Sequence, residues 1–347
     1  TAFSEDGLSV IATKLGTSLM LDSYTSDIYI ISWGRGSIRV MLMLSMFPLR
    51  CACCKVFGHA QDECPKNIDS DVVKNMKKLS QTHRGQLLGF AEFIPPYATA
   101  TDQEISTGVN YGSGSAGIRE ESGSHLGDRI SLDRQLQNHV TTISRLSSVL
   151  QSNKTFTNEY LKQCIYLTNI GSNDYINNYL IPNIYLTSNI YTVDEYAAVL
   201  VEQYSQQLKT LYDLGARKVA VFGLGQIGCA PAEIARFGTN GKPCVEWIND
   251  AVKIFNEHLR SLINELNNDY TDARLTFINL TSISAPQGGE DGQCVPNSTP
   301  CLLRALSVFY DGFHPTETAN TVIAARSYIA LSPMDASPYD ISHLARL

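Results

Sequence analysis

Cys164-Ile165-Tyr166-Leu167-Thr168-Asn169-Ile170-Gly171 is a short, strongly apolar run that stops at a glycine, as a strand buried on both faces does. Downstream, Thr192-Val193-Asp194-Glu195 has the form of a capping box, so a helix is expected from there to Gly215. Lys218-Val219-Ala220-Val221-Phe222 then reads as a second strand. Strand, helix, strand in that order predicts a parallel β-α-β unit. The alternation extends in both directions. Leu132, Leu136, Val140, Ile143, Leu146 and Leu150 recur at helical spacing, and Val245 to Leu266 is a long amphipathic helix. Leu275-Thr276-Phe277-Ile278 is a further strand, and Thr316 to Tyr328 a further helix. The expected fold is α/β, a doubly wound parallel sheet, whose sites lie at the C-terminal ends of the strands.

The chain's 347 residues can hold one large domain or two ordinary ones. With 44% apolar and 18% charged residues it reads as globular and not as a disordered chain. No apolar run approaches the length of a membrane span; the longest, around Val40 to Phe47, is strand-sized. The net charge of −7 is unevenly spread, since residues 1–89 carry ten Lys/Arg against eight Asp/Glu and the remainder is clearly acidic. An acidic body argues against nucleic-acid binding by the larger part, while the weakly basic head permits it. The nine cysteines divide at the same place. Cys51, Cys53, Cys54 and Cys64 cluster in the head, and Cys164, Cys229, Cys244, Cys294 and Cys301 are spread through the body. Lys66 to Arg84 is polar and Lys-rich, which suits a linker or an exposed helix. The chain starts at Thr1 without a basic-then-apolar leader, so its compartment cannot be read from its N-terminus.

Four features of the body fall at expected strand ends or in late loops. They are Gly108-Val109-Asn110-Tyr111-Gly112-Ser113-Gly114-Ser115-Ala116-Gly117, Asn169-Ile170-Gly171-Ser172-Asn173-Asp174, Gly223-Leu224-Gly225-Gln226-Ile227-Gly228-Cys229-Ala230-Pro231, and Asp311-Gly312-Phe313-His314. An Asp three residues before a His can orient one imidazole nitrogen and leave the other to act as base. The third feature also meets a dinucleotide fingerprint, with a strand before it and Glu246 near the expected acidic position. Against that reading, Pro231 and Cys229 sit where a phosphate-facing helix should begin.

Together with Phe93-Ile94-Pro95-Pro96 and the closing Asp311-Gly312-Phe313-His314-Pro315-Thr316, these blocks resemble the plant GDSL esterase/lipase family of SGNH hydrolases. The resemblance covers about residue 87 to the C-terminus. It implies a flavodoxin-like sheet and hydrolysis of carboxylic esters through a Ser-His-Asp acyl-enzyme, without a cofactor. By resemblance, His314 is the general base, Asp311 orients it, and the Gly114 N–H with the Asn173 amide holds the oxyanion. The substrate implied is a small-molecule or lipid ester. Family members are commonly secreted, which suits local disulfides Cys229–Cys244 and Cys294–Cys301 and the sequons at Asn153, Asn279 and Asn297.

The family's first strand ends in Gly-Asp-Ser-Leu, and no Gly-Asp-Ser occurs in this chain. The nucleophile is therefore unknown and turnover is expected to be absent or nearly so. The sheet is expected to lack its first strand; the run Ile38 to Leu44 could fill the gap, but nothing in the sequence requires it. Ser45 follows that run, with Met46-Phe47-Pro48 after it and no glycine for an elbow; Ser70 follows Asp69 but has no strand before it. Neither is expected to act.

The head carries Cys51-x2-Cys54-x4-His59-x4-Cys64, the spacing of a zinc knuckle. Three thiolates and an imidazole on so short a loop can close a tetrahedral zinc shell. Residues 1–89 also resemble the Gag-type polyprotein of plant retrotransposons. The text carrying this is Gly7 to Thr17, Leu21 to Asp27, Ser32-Trp33-Gly34-Arg35 and Cys54 to Lys66. The expected organisation is a Gag-like, irregular zinc-knuckle region over 1–66, a linker over 67–86 and a hydrolase-like domain over 87–347. The alternative function is a nucleic-acid-binding fusion acting through residues 51–64.

Overall fold

The computed structural model describes residues 40–46, 94–150, 154–284, 308–309 and 311–347. The knuckle residues Cys51, Cys54, His59 and Cys64, the linker, Ser70, and the expected Cys294–Cys301 pair lie outside the described residues.

The strands are β1 (Val40–Met46), β2 (Gly108–Asn110), β3 (Ser113–Gly114), β4 (Ile165–Asn169), β5 (Lys218–Phe222), β6 (Arg274–Ile278) and β7 (Ala336–Ser337). They form one sheet in the order β2-β1-β4-β5-β6-β7, with β3 also paired to β1. Every pairing is parallel except that of β6 with β7. The chain leaves β1 toward β2 on one side and returns to β4 on the other. That reversal makes a crevice at the C-terminal ends of the strands.

The expectation of a missing first strand is corrected. Val40–Met46 runs between β2 and β4, with Val40 opposite both Gly108 and Ile165 and Leu44 opposite Asn169. The reason lies in the main chain. Without an occupant, β2 and β4 would each leave a row of unpaired N–H and C=O groups in the middle of the sheet. A ladder needs only an extended backbone on a strand-length apolar run, so losing the family tetrapeptide does not forbid it.

Consecutive residues of the central strands face opposite cores, as the two-residue period of a strand requires. Tyr166, Val219, Val221, Leu275 and Phe277 join one apolar cluster, and Ile165, Leu167, Ala220, Phe222 and Ile278 join the other. The helices that cover them are α1 (Leu132–Val149), α2 (Lys154–Gln163), α3 (Val193–Asp213), α4 (Pro231–Phe237), α5 (Glu246–Asp269), α6 (Glu317–Tyr328) and α7 (Ile341–Arg346). Thr192 caps α3 as expected: its hydroxyl accepts from Glu195 N, and its own N–H donates to Glu195 Oε2 at 2.8 Å. Gly215, at φ +109°, stops the helix in a conformation other residues rarely adopt. The α1 stripe is narrower than its spacing suggests, because Val140 stays 46% exposed while Gln135, His139 and Thr142 are buried in its place.

His139 is fully buried on α1, with its ring edge-on to Tyr111 and Tyr166. Its Nδ1 lies 3.0 Å from the Tyr111 hydroxyl. Burial pushes the imidazole down from 6.5 to about 4, so it is neutral in the folded protein at neutral pH. The unfolded chain then binds the extra proton, and this group costs stability as pH falls from about 6.5 toward 4. A shift of that size corresponds to about 3 kcal/mol at the low-pH end. In urea denaturation between pH 7 and 4, His139→Gln is expected to lose stability with acid less steeply than the wild type.

Candidate active site

The loop after β3 and the end of β4 are tied together by one carboxylate. Asp174, fully buried, accepts from the N–H groups of Ile118 (2.8 Å) and Arg119 (3.0 Å) and from the Ser122 hydroxyl (2.6 Å). Burial raises this carboxyl to about 6 while the three donors oppose that rise. At neutral pH it is ionised and can accept all three bonds. The approach is close enough to dictate a glycine: a Cβ on Gly117 would stand 2.6 Å from both carboxylate oxygens. Gly123, at φ +76°, is required in the same way, since a Cβ there would meet the Ser115 carbonyl at 2.2 Å. Ser115 itself has φ +62°, a conformation that costs a non-glycine residue about 1 kcal/mol.

Asn173 precedes this carboxylate. Its Nδ2 donates to the Ala116 carbonyl at 2.8 Å, and its Oδ1 accepts from Asn177 Nδ2 at 2.7 Å. Gly114, two residues before Ala116, pairs with Met46 at the end of β1, and Ser45 pairs with Ser113. The first and second sequence blocks and the end of β1 therefore meet at one edge of the sheet.

The Asp311–His314 loop forms a second unit. His314 Nδ1 lies 2.5 Å from Asp311 Oδ2, and the other carboxylate oxygen accepts from the N–H groups of Phe313 and His314, each at 2.8 Å. Burial by itself would raise the Asp311 carboxyl, but the His314 contact and the two N–H donors hold it below its ordinary value. Nδ1 is thus engaged by the carboxylate, on a side chain only 4% exposed.

Helix α4 touches both units. Its Ala232 N–H donates to the Gly312 carbonyl at 2.8 Å, and Arg236 donates to the Leu180 carbonyl at 2.5 Å, just beyond the Asn173 turn. A disulfide between Cys229 and Cys244, as expected, closes the loop that carries α4. The glycines of the dinucleotide-like stretch have packing roles instead: Cβ atoms on Gly223 and Gly228 would meet Phe277 at 2.6 Å and the Val245 carbonyl at 2.3 Å. Glu233 on α4 is buried too, and burial raises its carboxyl to about 7 against the pull of Arg236. The sequon at Asn279 is engaged in the fold, because its Nδ2 donates to the Met334 carbonyl. Among the described residues no group of three or more His, Cys, Asp or Glu side chains is arranged to hold a metal ion.

The profile of the GDSL-like Lipase/Acylhydrolase family matches residues 31–327, a span that includes β1 and all of the site. The chain belongs to that family. It is 44% identical over 283 residues to the GDSL esterases/lipases At1g29670 and At1g29660 of Arabidopsis thaliana. Each alignment covers 76% of this chain, and 77% and 78% of the respective relative. GDSL esterase/lipase At5g45670 of the same plant is equally similar. The family assignment accounts for the α/β sheet and for the order of the four blocks along the chain. Sequence reasoning named Asp311, His314, Gly114 and Asn173, but it missed Asp174, Ser122 and Asn177. Asp174 stood in view inside the second block, and the spacing four residues after Asn173 was the available signal for Asn177.

Asp174→Asn puts an amide where three donors converge, so at least one buried donor loses its acceptor. The unfolding free energy is expected to fall by about 2–3 kcal/mol, measured by urea denaturation at pH 7.5. Cys229→Ser opens a loop whose ends are 15 residues apart; the expected loss is about 3 kcal/mol. The wild type under reducing conditions should lose at least as much.

Proposed function

We propose that this chain carries the acid–base and oxyanion halves of a carboxylic ester hydrolase without a competent nucleophile, so that it turns esters over slowly or not at all. The observation that carries the reading is the 2.5 Å contact of His314 Nδ1 with Asp311 Oδ2, in a loop whose own N–H groups hold the carboxylate. In the chemistry such a pair serves, a serine hydroxyl attacks the ester carbonyl and its proton passes to His314 Nε2. Asp311, kept ionised by its donors, stabilises the imidazolium and fixes the ring. The tetrahedral oxyanion takes hydrogen bonds from the Gly114 N–H and from Asn173 Nδ2, and losing one such donor typically costs about 3 kcal/mol of barrier. His314 then returns the proton to the leaving alcohol, and water repeats the cycle on the acyl-enzyme. No metal or cofactor takes part in these steps.

The nucleophile is the missing part. A serine for this site belongs at the C-terminal end of β1, and Ser45, opposite Ser113, is the serine there. Around it stand Met43, Leu44 and Met46, followed by Phe47 and Pro48. A nucleophile must sit on a sharp turn that also opens an oxyanion donor, and this stretch has no glycine to make one. Ester substrates are the class the relatives' names imply.

Fluorophosphonate labelling with mass spectrometry tests the proposal. Folded wild-type chain is expected to take no label that depends on His314. The triple variant Met43→Gly, Leu44→Asp, Met46→Leu spells the family's tetrapeptide around Ser45 and is expected to gain label on Ser45, lost again with His314→Ala. His314-dependent label on any serine of the wild type would overturn the inactivity. A folded triple variant that stays unlabelled would overturn the assignment of the acid–base half.

A further inference from the structure

The Asn173 side chain is a symmetric-looking amide with opposite ends, and an oxyanion donor works only in one of its two orientations. The N–H end must face the developing charge; turned by 180°, the carbonyl oxygen would repel it. Something must set that orientation, and Asn173 is buried, so water does not.

Asn177 lies on the π-helical turn Tyr175–Tyr179, where the Leu180 N–H reaches back to the Tyr175 carbonyl at 2.9 Å. Within that turn Asn177 departs from helical geometry, with φ −109° and ψ 20°. Its carbonyl accepts from the Gly123 N–H at 3.1 Å, which locks the residue to the loop that Asp174 also holds. From this place its Nδ2 donates to Asn173 Oδ1 at 2.7 Å, and both side chains are buried. The Ala116 carbonyl takes one Asn173 N–H on the other side. A primary amide has two N–H donors and one oxygen. With the oxygen occupied by Asn177 and one N–H by Ala116, a single N–H of known direction is left for an incoming oxyanion. Single-turn π-bulges concentrate at functional sites, and here the irregular turn has a specific product.

We infer that Asn177 is a positioning residue: it fixes the orientation of the Asn173 amide, so that the site presents N–H and not C=O to an oxyanion. The inference rests on the reading of Asn173 as an oxyanion donor. Asn177 touches no reacting atom. Its effect is to keep Asn173 from rotating, and preorganised donors are effective because they cost no reorganisation when charge develops.

The test uses two readouts that need no turnover, on the full chain and on Asn177→Leu, which removes the donor at similar volume. The first is the side-chain amide pair of Asn173 by ¹⁵N-edited NMR, assigned with Asn173→Ala. In the wild type the pair is expected to be sharp and well separated, with one proton slow to exchange. In Asn177→Leu it is expected to broaden or move while distant backbone resonances stay in place. An unchanged Asn173 pair in that variant overturns the inference. The second readout is the affinity for diethyl phosphate, a tetrahedral monoanion. One lost hydrogen bond to a charged group weakens binding about tenfold or more, and this is expected for Asn173→Ala and for Asn177→Leu. If Asn173→Ala leaves the affinity unchanged, the oxyanion reading fails while the NMR result on Asn177 still stands. If Asn173→Ala weakens binding and Asn177→Leu does not, the positioning role fails alone.

Discussion

The middle of a parallel sheet cannot be left empty, and that constraint shapes this protein more than any single side chain does. β2 and β4 each present a full row of main-chain donors and acceptors toward the slot between them, and Val40–Met46 satisfies both rows. The demand is on the backbone, so an apolar run of the right length meets it whatever residues follow. The chemistry of the same strand end makes a different demand, for one hydroxyl on one sharp turn. A substitution of residues can therefore keep the sheet intact while removing the reactive atom. The family match beginning at residue 31 covers the strand as well as the later blocks.

With the slot filled, a buried carboxylate organises the sheet edge. Asp174 gathers two main-chain N–H groups and a hydroxyl from residues more than fifty positions earlier in the chain. Desolvating a carboxylate is costly, and the three charge-assisted bonds offset part of that cost. Their geometric result is that the β3 loop is held against the β4 end, where Asn173 sits. The glycines at 117 and 123 follow from the same closeness, because a side chain at either would occupy space already held by Asp174 or by Ser115.

The Asp311–His314 pair obeys a more local logic. Asp311 reaches the ring of His314 across three residues, and the N–H groups of the intervening turn neutralise its other oxygen. The pair is thus nearly complete within its own loop, and α4, fastened by the Cys229–Cys244 bond, ties that loop to the rest of the edge. Local completeness makes the geometry of this pair independent of which residues follow β1.

The sequence by itself determined what depends on neighbours close along the chain. Periods of two and of three to four residues located the strands and helices, Thr192 and Glu195 located a cap, and Asp311 with His314 announced a dyad, because each of those is made within a few residues. The Cys229–Cys244 pair was legible for the same reason. Tertiary structure alone decided what depends on groups brought from afar. It filled the first-strand slot, which the sequence permitted without requiring, since a ladder is read by partners and not by residue type. It turned Val140 outward and His139 inward on α1. It gave Asp174 its three donors and Asn173 its direction, because a hydrogen bond between residues 118 and 174 leaves no spacing in the sequence from which to infer it.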